Sequence, residues 1–413
     1  MLREWRQSGP SAVQFGAQGE DDLTMLAGTE AETNKRAQFS MRAFLLYFLK
    51  LGALGFGGPI ALAGYMQRDL VEERGWIEKR DYDEGLALAQ LSPGPLAAQL
   101  AIYLGWIRGR VLGAALVSVA FIGPSFVMVL ALAATYVRYG GLPWMQGAFY
   151  GIGAAVIAII ARSAVNLVKK SLKTDALLWT IAVSNAAATV ITGFEPVWLV
   201  VVGGVLTVLI RRPPKAAAAF VPLPLFMLTG LKGPVSAATL GKILVYFATA
   251  GLFVFGSGLA IVPFLHGGVV EQNRWLTERQ FLDAVAVAMI TPGPVVITVA
   301  FIGYLVAGPL GASLAAIGVF LPCFCIVVTL APYYRRLAEN ARIKAFVLGI
   351  TAGAVGAITG AVIVIGGRAL VDIPAVGIAL LAAAILWRTK KVPEPLLILA
   401  AGLIGVVIRA VPR

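Results

Sequence analysis

The sequence predicts an all-α polytopic integral membrane protein made of two homologous, inverted repeats of about six helices each. The 413 residues are 59% hydrophobic and only 13% charged, with a mean hydropathy of +0.85, which is more apolar surface than water tolerates. Uncharged runs such as Val111–Val137 reach the ~20 residues that a helix needs to cross a bilayer. The tripeptide Pro93-Gly94-Pro95 returns 199 residues later as Pro292-Gly293-Pro294, and broken helices are expected at both copies.

The apolar runs divide into two groups of six, which sets the order of the predicted helices. They lie near 42–64, 85–107, 111–137, 144–168, 176–193 and 197–210, and then near 242–265, 283–306, 309–331, 345–367, 373–387 and 395–410. The last two runs of each group have only about 14 to 18 residues, so they need not span the bilayer fully. The sequence therefore leaves the number of spans open between 11 and 13.

Composition along the chain predicts four regions. They are a flexible cytoplasmic tail at 1–40, an N-terminal membrane repeat at 41–210, a linker at 211–241 and a C-terminal membrane repeat at 242–413. The tail has no apolar core and lacks the hydrophobic segment of a signal peptide. The linker contains a weaker apolar stretch, Ala216–Leu231, which Pro222 and Pro224 make a poor helix. An inverted repeat needs an odd number of crossings before its second copy, so this stretch is a candidate thirteenth segment unless a short neighbour fails to span.

A shift of 199 residues aligns the two halves beyond the tripeptides. It pairs identical residues in the segment before each tripeptide, namely Phe56-Gly57 with Phe255-Gly256, Val71-Glu72 with Val270-Glu271, Trp76 with Trp275 and Arg80 with Arg279. Shared hydrophobicity alone does not fix tryptophan and charged residues at constant spacing. We therefore interpret the two halves as a duplication.

The basic residues lie in non-equivalent loops of the two halves, which favours inversion of one half relative to the other. In the first half, Arg108, Arg110 and the cluster at 162–173 lie on the predicted side of the tail. In the second half, the clusters at 335–344 and 388–391 follow the alternate loops. Positive loops stay in the cytoplasm, so the halves are expected to cross the bilayer in opposite directions, as in many secondary transporters.

The net charge of +13 raises the question of a nucleic-acid partner. The lysines and arginines stand in short clusters between apolar runs, including Lys169-Lys170, Arg211-Arg212 and Lys390-Lys391. Retention of positive loops in the cytoplasm explains this pattern, and a secondary attraction for anions is the alternative. We expect no nucleic-acid partner.

Neither a metal site nor a cofactor is expected. Cys323 and Cys325 stand two residues apart in an apolar run, on different faces of a helix, which suits neither a disulfide nor zinc. We expect both to be core residues. The single histidine, His266, has no such partners for a metal cluster, and we expect it to be packed or interfacial.

Each tripeptide is expected to break a helix. Proline lacks an amide hydrogen and clashes with the carbonyl one turn earlier, so the predicted span Glu84–Arg108 becomes two half-helices. The second would begin at Pro95 and leave the next amides without acceptors. A helix N-terminus attracts anions without a buried lysine. The predicted anion site near the membrane midplane comprises Ser92, Pro93, Gly94, Pro95, Leu96, Ala97 and Ala98, with Thr291, Pro292, Gly293 and Pro294 in the second copy.

A second break is predicted in the first span, at residues 55–59. Gly57 and Gly58 permit close approach of a ligand, and we assign them with Pro59 to the same anion site. The second half offers Phe255-Gly256-Ser257-Gly258 at this place. The alternative is that these glycines and prolines only kink or pack helices, as they do in many membrane proteins.

The linkers Tyr65–Glu84 and Phe264–Asp283 are polar, and each is expected to form an amphipathic helix at the membrane interface. Their matching residues are assigned to coupling or gating: Glu72, Trp76, Arg80 and Glu84 in the first linker, and Glu271, Trp275, Arg279 and Asp283 in the second. Arg80 would attract an anion, and Glu84 or Asp283 could carry a coupling proton. Alternatively, these carboxylates only favour a helix start on a solvated face.

A spaced motif runs through the first half: Gly57-Gly58, Val71, Trp76, Pro93-Gly94-Pro95, Gly105 and Gly113. On these residues the chain resembles the chromate ion transporter family, whose long members carry two homologous halves, and the resemblance covers residues 42–410. The second half departs from the motif at Ser257 and Gly258, so the first copy is the stronger candidate site. The resemblance implies chromate efflux across the bacterial inner membrane, driven by the membrane potential or by protons, and chromate resistance.

The expected protein is therefore a secondary active transporter, a multi-pass protein of the inner membrane whose surroundings are the lipid bilayer. Chromate and sulfate are both tetrahedral dianions, so sulfate is an expected competitor. Transport of sulfate or another oxyanion by uptake or exchange is the alternative. A membrane-embedded enzyme would need histidine or carboxylate clusters within the spans, and the apolar cores of the third, fourth, ninth and tenth runs contain none. A non-transporting scaffold would be separated by a flux assay, and a homodimer is compatible with the sequence.

Overall fold

A computed structural model describes residues 40–56, 58–139, 142–192, 197–212, 237–252, 254, 261–334, 340–370, 372–389 and 392–410. These residues form helices joined by short turns, and no strand occurs among them. The predicted all-helical fold is confirmed. Nearly all of the predicted tail (1–40) and the weak segment Ala216–Leu231 lie outside the described residues.

The described part of the first repeat contains seven α-helices. In chain order they are α1 (Met41–Leu54), α2 (Gly58–Met66), α3 (Lys79–Leu91), α4 (Leu96–Tyr139), α5 (Pro143–Ser171), α6 (Ala176–Thr192) and α7 (Val197–Arg211). A π-helical turn, Gln67–Glu73, continues α2. The Ser40 side chain starts α1 by accepting a hydrogen bond from the amide of Ala43, as N-cap serines do.

The second repeat follows the same order. Its helices are α8 (Ala237–Leu252), α9 (Ile261–His266), α10 (Glu278–Ile290), α11 (Thr298–Leu330), α12 (Ala341–Ala369), α13 (Ile373–Arg388) and α14 (Glu394–Ala410). A π-helical turn, Gly267–Gln272, again follows the second helix. The correspondence of α1 to α7 with α8 to α14 agrees with the duplication predicted from sequence.

The first two helices fold back on each other as a hairpin. The chain turns at Gly55, and the segment after α2 returns to the start of α1. There the ring of Trp76 lies 6.4 Å from that of Phe44, and the guanidinium of Arg74 lies 5.6 Å from the ring centroid of Tyr47. The run predicted as one span, 42–64, is therefore a re-entrant hairpin.

The helix predicted to cross the membrane over Glu84–Arg108 is also a hairpin. α3 and the first limb of α4 lie side by side, with the Tyr103 ring packed on Gly85 and its hydroxyl 3.5 Å from the Glu84 carboxylate. The Pro-Gly-Pro tripeptide forms the tip. The predicted break is correct, but the predicted crossing is wrong, because two prolines around a positive-φ glycine reverse the chain instead of bending it.

The membrane-crossing part of α4 is its second limb. The backbone of Gly109 and Arg110 is non-helical, and residues 111–139 double back so that Gly113 packs on Gly105. At 1.5 Å per residue this limb is about 40 Å long. α11 breaks in the same way. Among the described helices, α4, α5, α11 and α12 are long and apolar enough to cross a membrane by themselves.

The first repeat defines two faces of the molecule. One is the Met41 face, where α1 begins and the break at Gly109 packs on the Met41 side chain. Both hairpins of the first repeat open there. The other is the Tyr139 face, where the second limb of α4 ends.

The hairpins of the second repeat enter from the Tyr139 face. At their base, Asp283 accepts a 2.7 Å hydrogen bond from Tyr136 near the end of α4, and the Phe301 ring lies 5.4 Å from that of Tyr136. Reciprocally, Tyr334 follows α11 and interacts electrostatically with Glu84 at the base of the first-repeat hairpin. α4 and α11 therefore run in opposite directions, and these contacts agree with the inverted repeat predicted from loop charge.

The long helices α5 and α12 are exchanged between the repeats. α5 packs on α13 and α14, whereas α12 packs on α6 and α7. α5 and α12 also run antiparallel, since Ile157 clusters with Ile365 while Ala164 packs on Ile358. Glycines allow the backbones to approach at these crossings, in the pairs Gly147 with Gly405 and Gly203 with Gly349. The two repeats of the sequence are thus not two separate bodies.

The ends of the repeats agree with inversion. Arg211, at the end of α7, forms an ion pair with Asp175 in the turn after α5, which lies at the Met41 face. α8 instead ends near the tips, where Val254 accepts from Gly94, and its Phe247 packs near Trp275 at the base of the second-repeat hairpins, so it begins towards the Tyr139 face. The first and second repeats therefore start from opposite faces.

Large apolar side chains cover the outside of the bundle. Ile191 is 83% exposed and Ile373 is 89% exposed. Water would not tolerate so continuous an apolar surface, so a bilayer must cover it. The predicted integral membrane class is confirmed.

The predicted interfacial helices do not form. The segment Tyr65–Glu84 contains the end of α2, the π-helical turn Gln67–Glu73 and the start of α3, and Phe264–Asp283 is built in the same way. The polar residues that suggested amphipathic helices instead close the bases of the hairpins. This prediction was wrong because the hairpins return to one face and need polar turns there.

Candidate functional site

The hairpin tips of the two repeats meet inside the molecule. The amide of Gly94 donates to the Val254 carbonyl at 2.7 Å, and the amide of Gly293 donates to the Gly55 carbonyl at 2.8 Å. Gly94 and Gly293 are equivalent under the shift of 199 residues, and so are Gly55 and Val254. The two hydrogen bonds are therefore related by the internal two-fold symmetry of the repeats. Each Pro-Gly-Pro tip is thereby fastened to the break after the first helix of the other repeat.

Both tips require glycine. Gly94 has φ 135 and Gly293 has φ 97, values that other residues adopt only with strain. There is also no space for a side chain, since Gly94 packs on Cys323 of α11 and Gly293 on Ser125 of α4. Both contacts lie in the middle of long crossing limbs, which places the tips at mid-depth.

The first tip holds amide donors that the fold does not use. α4 begins at Leu96, one residue after the predicted start, and the amides of Leu96, Ala97 and Ala98 find no acceptor within the described ranges. The Pro93 carbonyl would be the helical acceptor for Ala97, but the Gln99 side chain donates to it at 2.6 Å. Gln99 thus occupies the carbonyl that would otherwise accept from the Ala97 amide.

Two buried side chains at this tip also have unused hydrogen-bonding capacity. The Ser92 hydroxyl and the Oε1 atom of Gln99 have no partner, although the residues are only 4% and 0% exposed. Unpaired buried polar groups are rare and cost free energy. Together with the free amides they form an uncharged polar cradle. An anion can accept hydrogen bonds from the amides and the Ser92 hydroxyl, whereas Gln99 Oε1 needs a donor such as water.

The second tip is more complete by itself. The Thr291 hydroxyl donates to the Val287 carbonyl at 2.7 Å. The chain after Pro294 forms a 3-10 turn in which the Ile297 amide is bonded at 2.9 Å, and the Thr298 hydroxyl is also engaged. Of the predicted residues, those around Pro93-Gly94-Pro95 therefore offer more free donors than those around Pro292-Gly293-Pro294.

The structure places only part of the predicted site at residues 57–59. Gly58 and Pro59 begin α2, and Gly58 has φ 75. Gly57 and residues 255–260, which include the positions 256–258 that correspond to 57–59, lie outside the described residues.

The paired carboxylates have different surroundings. Glu84 lies 3.3 Å from Arg80 as a partly exposed ion pair. Asp283 is 3% exposed, and Tyr136 donates its single hydrogen bond within the described chain. Both stand at the hairpin bases, about a helix length away from the tips. Asp283 is thus the more deeply buried of the two predicted coupling groups.

The other predicted coupling residues also lie at the hairpin bases. Glu72 accepts a 3.0 Å hydrogen bond from Gln67, Glu271 pairs with Arg368, and Arg279 donates to the Gln146 carbonyl. Trp76 packs near Phe44, and Trp275 near Tyr246 and Phe247. The structure brings these residues to the faces and not to the tips.

His266 has more partners than the sequence suggests. It is buried, as expected, and its Nε2 atom lies 2.8 Å from the Glu278 carboxylate. Its potential ligand atom lies within 4.8 Å of those of Glu271 and Glu278, two carboxylates that the prediction from sequence did not place beside it. The two carboxylates also pair with Arg368, which already compensates their charge.

Sequence reasoning missed Gln99, Ser125 and Cys323 as tip residues. Gln99 stands as one amide in an otherwise apolar limb, and this signal could have identified it. Ser125 and Cys323 reach the tips only through the packing of distant helices. Cys323 is buried as expected, whereas Cys325 is exposed, so half of that core prediction was wrong.

Re-entrant hairpins from inverted repeats, with helix ends meeting inside a polytopic bundle, are typical of membrane transporters. The comparisons agree with this class. The chain belongs to the chromate transporter family, whose family model matches residues 42–208 and again residues 241–406. The two matched regions coincide with the two repeats.

Curated relatives cover nearly the whole chain. A chromate transport protein of Cupriavidus metallidurans is 58% identical over 89% of this chain and 93% of its own length. A probable chromate transport protein of Synechococcus elongatus is 54% identical over 89% and 96%, and a chromate transport protein of Pseudomonas aeruginosa is 34% identical over 87% and 90%. No solved structure is significantly similar to the chain.

Proposed function

We propose that this protein exports chromate across the inner membrane as a secondary active transporter and thereby confers chromate resistance. The anion is held at the tip of the first Pro-Gly-Pro hairpin. The observation that carries the proposal is the unpaired Ser92 hydroxyl beside the free amides of Leu96, Ala97 and Ala98. The names of the Cupriavidus and Pseudomonas relatives support chromate as the substrate.

The cradle binds an oxyanion through neutral donors. The N-terminus of α4 carries about half a positive charge from its backbone dipoles, and Ser92 adds a hydroxyl. Within the described residues, the atoms nearest to Gly94 belong to Cys323 and Gln99, and the side chain bonded to the Pro93 carbonyl is that of Gln99, so none of these contacts is made by a lysine or arginine. A dianion held in this way is released more readily than one paired to a buried arginine. Ready release matters because a transporter must release its substrate at each turnover.

Transport requires the cradle to face each side in turn. Because α5 and α12 are exchanged between the repeats, rocking one whole repeat against the other would pull these helices from their packing. We therefore assign the movement to the hairpins, which shift against the scaffold of α5 to α7 and α12 to α14. Asp283 is the proposed coupling group, with protons or the membrane potential as the driving force.

The Met41 face is the proposed cytoplasmic face. It carries the basic turns at 108–110, 169–173 and 211–212, and the positive-inside rule places such turns in the cytoplasm. Export would then start from the Met41 face, where the hairpin with the first Pro-Gly-Pro tip has its base. A homodimer stays a prediction.

Transport of sulfate or another oxyanion by uptake or exchange is the second candidate, because backbone donors discriminate weakly between tetrahedral dianions. Everted vesicles separate the candidates. Accumulation of radiolabelled chromate, inhibited by excess sulfate and lost when the proton or potential gradient is collapsed, is expected. Accumulation that survives the collapse of both gradients would reject secondary active export.

Ser92→Ala is expected to raise the KM for chromate by roughly 10- to 100-fold, since one hydrogen bond to a charged ligand contributes about 1.5–3 kcal/mol. Thr291→Ala is the matched control, because the Thr291 hydroxyl is already bonded within its helix. Its KM should stay within about twofold. Initial rates in vesicles with matched protein amounts give both values. Equal effects of the two variants would contradict the assignment of the first cradle.

A further inference from the structure

An apolar groove opens on the outside of the bundle between α5, α6 and α12. It encloses a volume of about 530 Å³. Its floor is formed by small and aliphatic side chains of α5 and α12, among them Ala161, Ala164, Val165, Val168, Val362 and Ile363. None of these residues belongs to the transport site described above.

The groove runs from the middle of the bundle to the Met41 face. Ala161 lies close to the midpoint of α5, and Lys169 lies two residues before its end at Ser171. The eight residue steps from Ala161 to Lys169 rise about 12 Å, which is close to half of the ~30 Å hydrocarbon layer. The groove therefore has the length of one lipid leaflet.

Two lysines line the end of the groove at the Met41 face. Lys169 and Lys173 are exposed, and neither pairs with a carboxylate within the described part of the chain. The acidic residue of the same turn, Asp175, is occupied by Arg211. The groove mouth thus presents two uncompensated positive charges where lipid headgroups lie.

The turn that holds the second lysine is well defined. Lys173 has φ 46, a left-handed conformation that a residue with a side chain adopts at a cost. The Trp179 indole, which also lines the groove, donates to the Lys173 carbonyl at 2.9 Å. Tryptophan at this level is typical of the membrane interface, so the wall and the mouth of the groove are fixed to each other.

We propose that the groove binds an anionic phospholipid, with one acyl chain along α5 and α12 and the phosphate held by Lys169 and Lys173. The apolar lining matches an acyl chain, the length matches one leaflet, and the two unpaired lysines match a negative headgroup. The site lies where α5 of one repeat packs against α12 of the other. A bound lipid would therefore stabilise the exchanged scaffold.

The test uses the purified full-length protein in a neutral detergent, titrated with dioleoyl phosphatidylglycerol or dioleoyl phosphatidylcholine and followed by native mass spectrometry. The wild type should prefer phosphatidylglycerol. The double variant Lys169→Ala, Lys173→Ala should bind it on the order of tenfold more weakly, with phosphatidylcholine binding unchanged. Lys170→Ala is the matched control, because Lys170 is an exposed neighbour outside the groove, and it should retain the preference.

A second variant tests the groove independently of charge. Ala161→Phe fills the floor and should weaken binding of both lipids to a similar extent, while thermal unfolding without added lipid checks that the variant is folded. The proposal fails if the wild type shows no preference for phosphatidylglycerol, or if Lys170→Ala loses as much binding as the double variant. The proposal would also be overturned if folded Ala161→Phe bound both lipids as tightly as the wild type does.

Discussion

Gly293→Ala is expected to destabilise the protein by about 2–4 kcal/mol and to abolish transport. An alanine Cβ at this position would stand 1.9 Å from the Ser125 hydroxyl oxygen and 3.1 Å from the Gly52 carbonyl, at a backbone φ of 97. The tip would have to withdraw and lose its bond to the Gly55 carbonyl. Thermal unfolding in detergent, followed by tryptophan fluorescence, measures the loss.

The control for this prediction is Gly123→Ala. Gly123 lies in α4 two residues before Ser125, and a Cβ there would meet no atom within 4 Å. Its helix should be unchanged or slightly more stable, since alanine is the better helix former. Adding Ser125→Gly to Gly293→Ala should restore part of the stability by removing the clash. Equal unfolding temperatures for Gly293→Ala and Gly123→Ala would refute the docking of the two tips.

Asp283→Asn is expected to lower proton-driven chromate transport at least tenfold while leaving chromate exchange intact. Asparagine keeps the shape of the side chain and can still accept the hydrogen bond from Tyr136, so the base of the hairpin should hold. It cannot take up and release a proton. Uptake into everted vesicles driven by an imposed pH gradient measures coupling, and counterflow of labelled against unlabelled chromate measures binding and exchange.

Glu84→Gln is the matched variant in the first repeat. The Glu84 carboxylate is paired with Arg80 and is more exposed, so its neutralisation should reduce proton-driven transport less than Asp283→Asn does. If Asp283→Asn transports chromate at the wild-type rate under a pH gradient, Asp283 is not the coupling group. Loss of counterflow as well as coupling would instead show that the substitution damages binding.

The sequence was informative about the repeat because duplication is recorded residue by residue. The constant spacing of Trp76 and Trp275 and of the two tripeptides predicted equivalent elements, and the loop charges predicted their inversion. It was misleading about the runs 42–64 and 85–107. Their apolar length suits a crossing helix, and hydropathy does not distinguish a span from two half-length helices that return to the same face.

At the candidate site, too, some features could be predicted from the sequence and others could not. Pro93, Gly94 and Pro95 predicted the helix break and the free amides, because the missing proline amide is a local property. The sequence did not show that Gln99 would take the Pro93 carbonyl, or that the Ser92 hydroxyl would be left unpaired while that of Thr291 is not. These differences depend on which groups come into contact when the helices pack.

The sequence by itself determined the membrane class, the duplication, the inversion and the positions of the breaks, since hydropathy, spacing, loop charge and proline chemistry act over short stretches of chain. Tertiary structure alone decided that the broken segments are hairpins, that their tips bond across the repeats through Gly94 and Gly293, and that α5 and α12 change partners. The hairpins are closed by contacts only about 20 to 30 positions apart, such as that of Tyr103 with Gly85, whereas the tip bonds and the exchange of α5 and α12 join residues about 150 to 260 positions apart. No local sequence pattern encodes which of these surfaces meet.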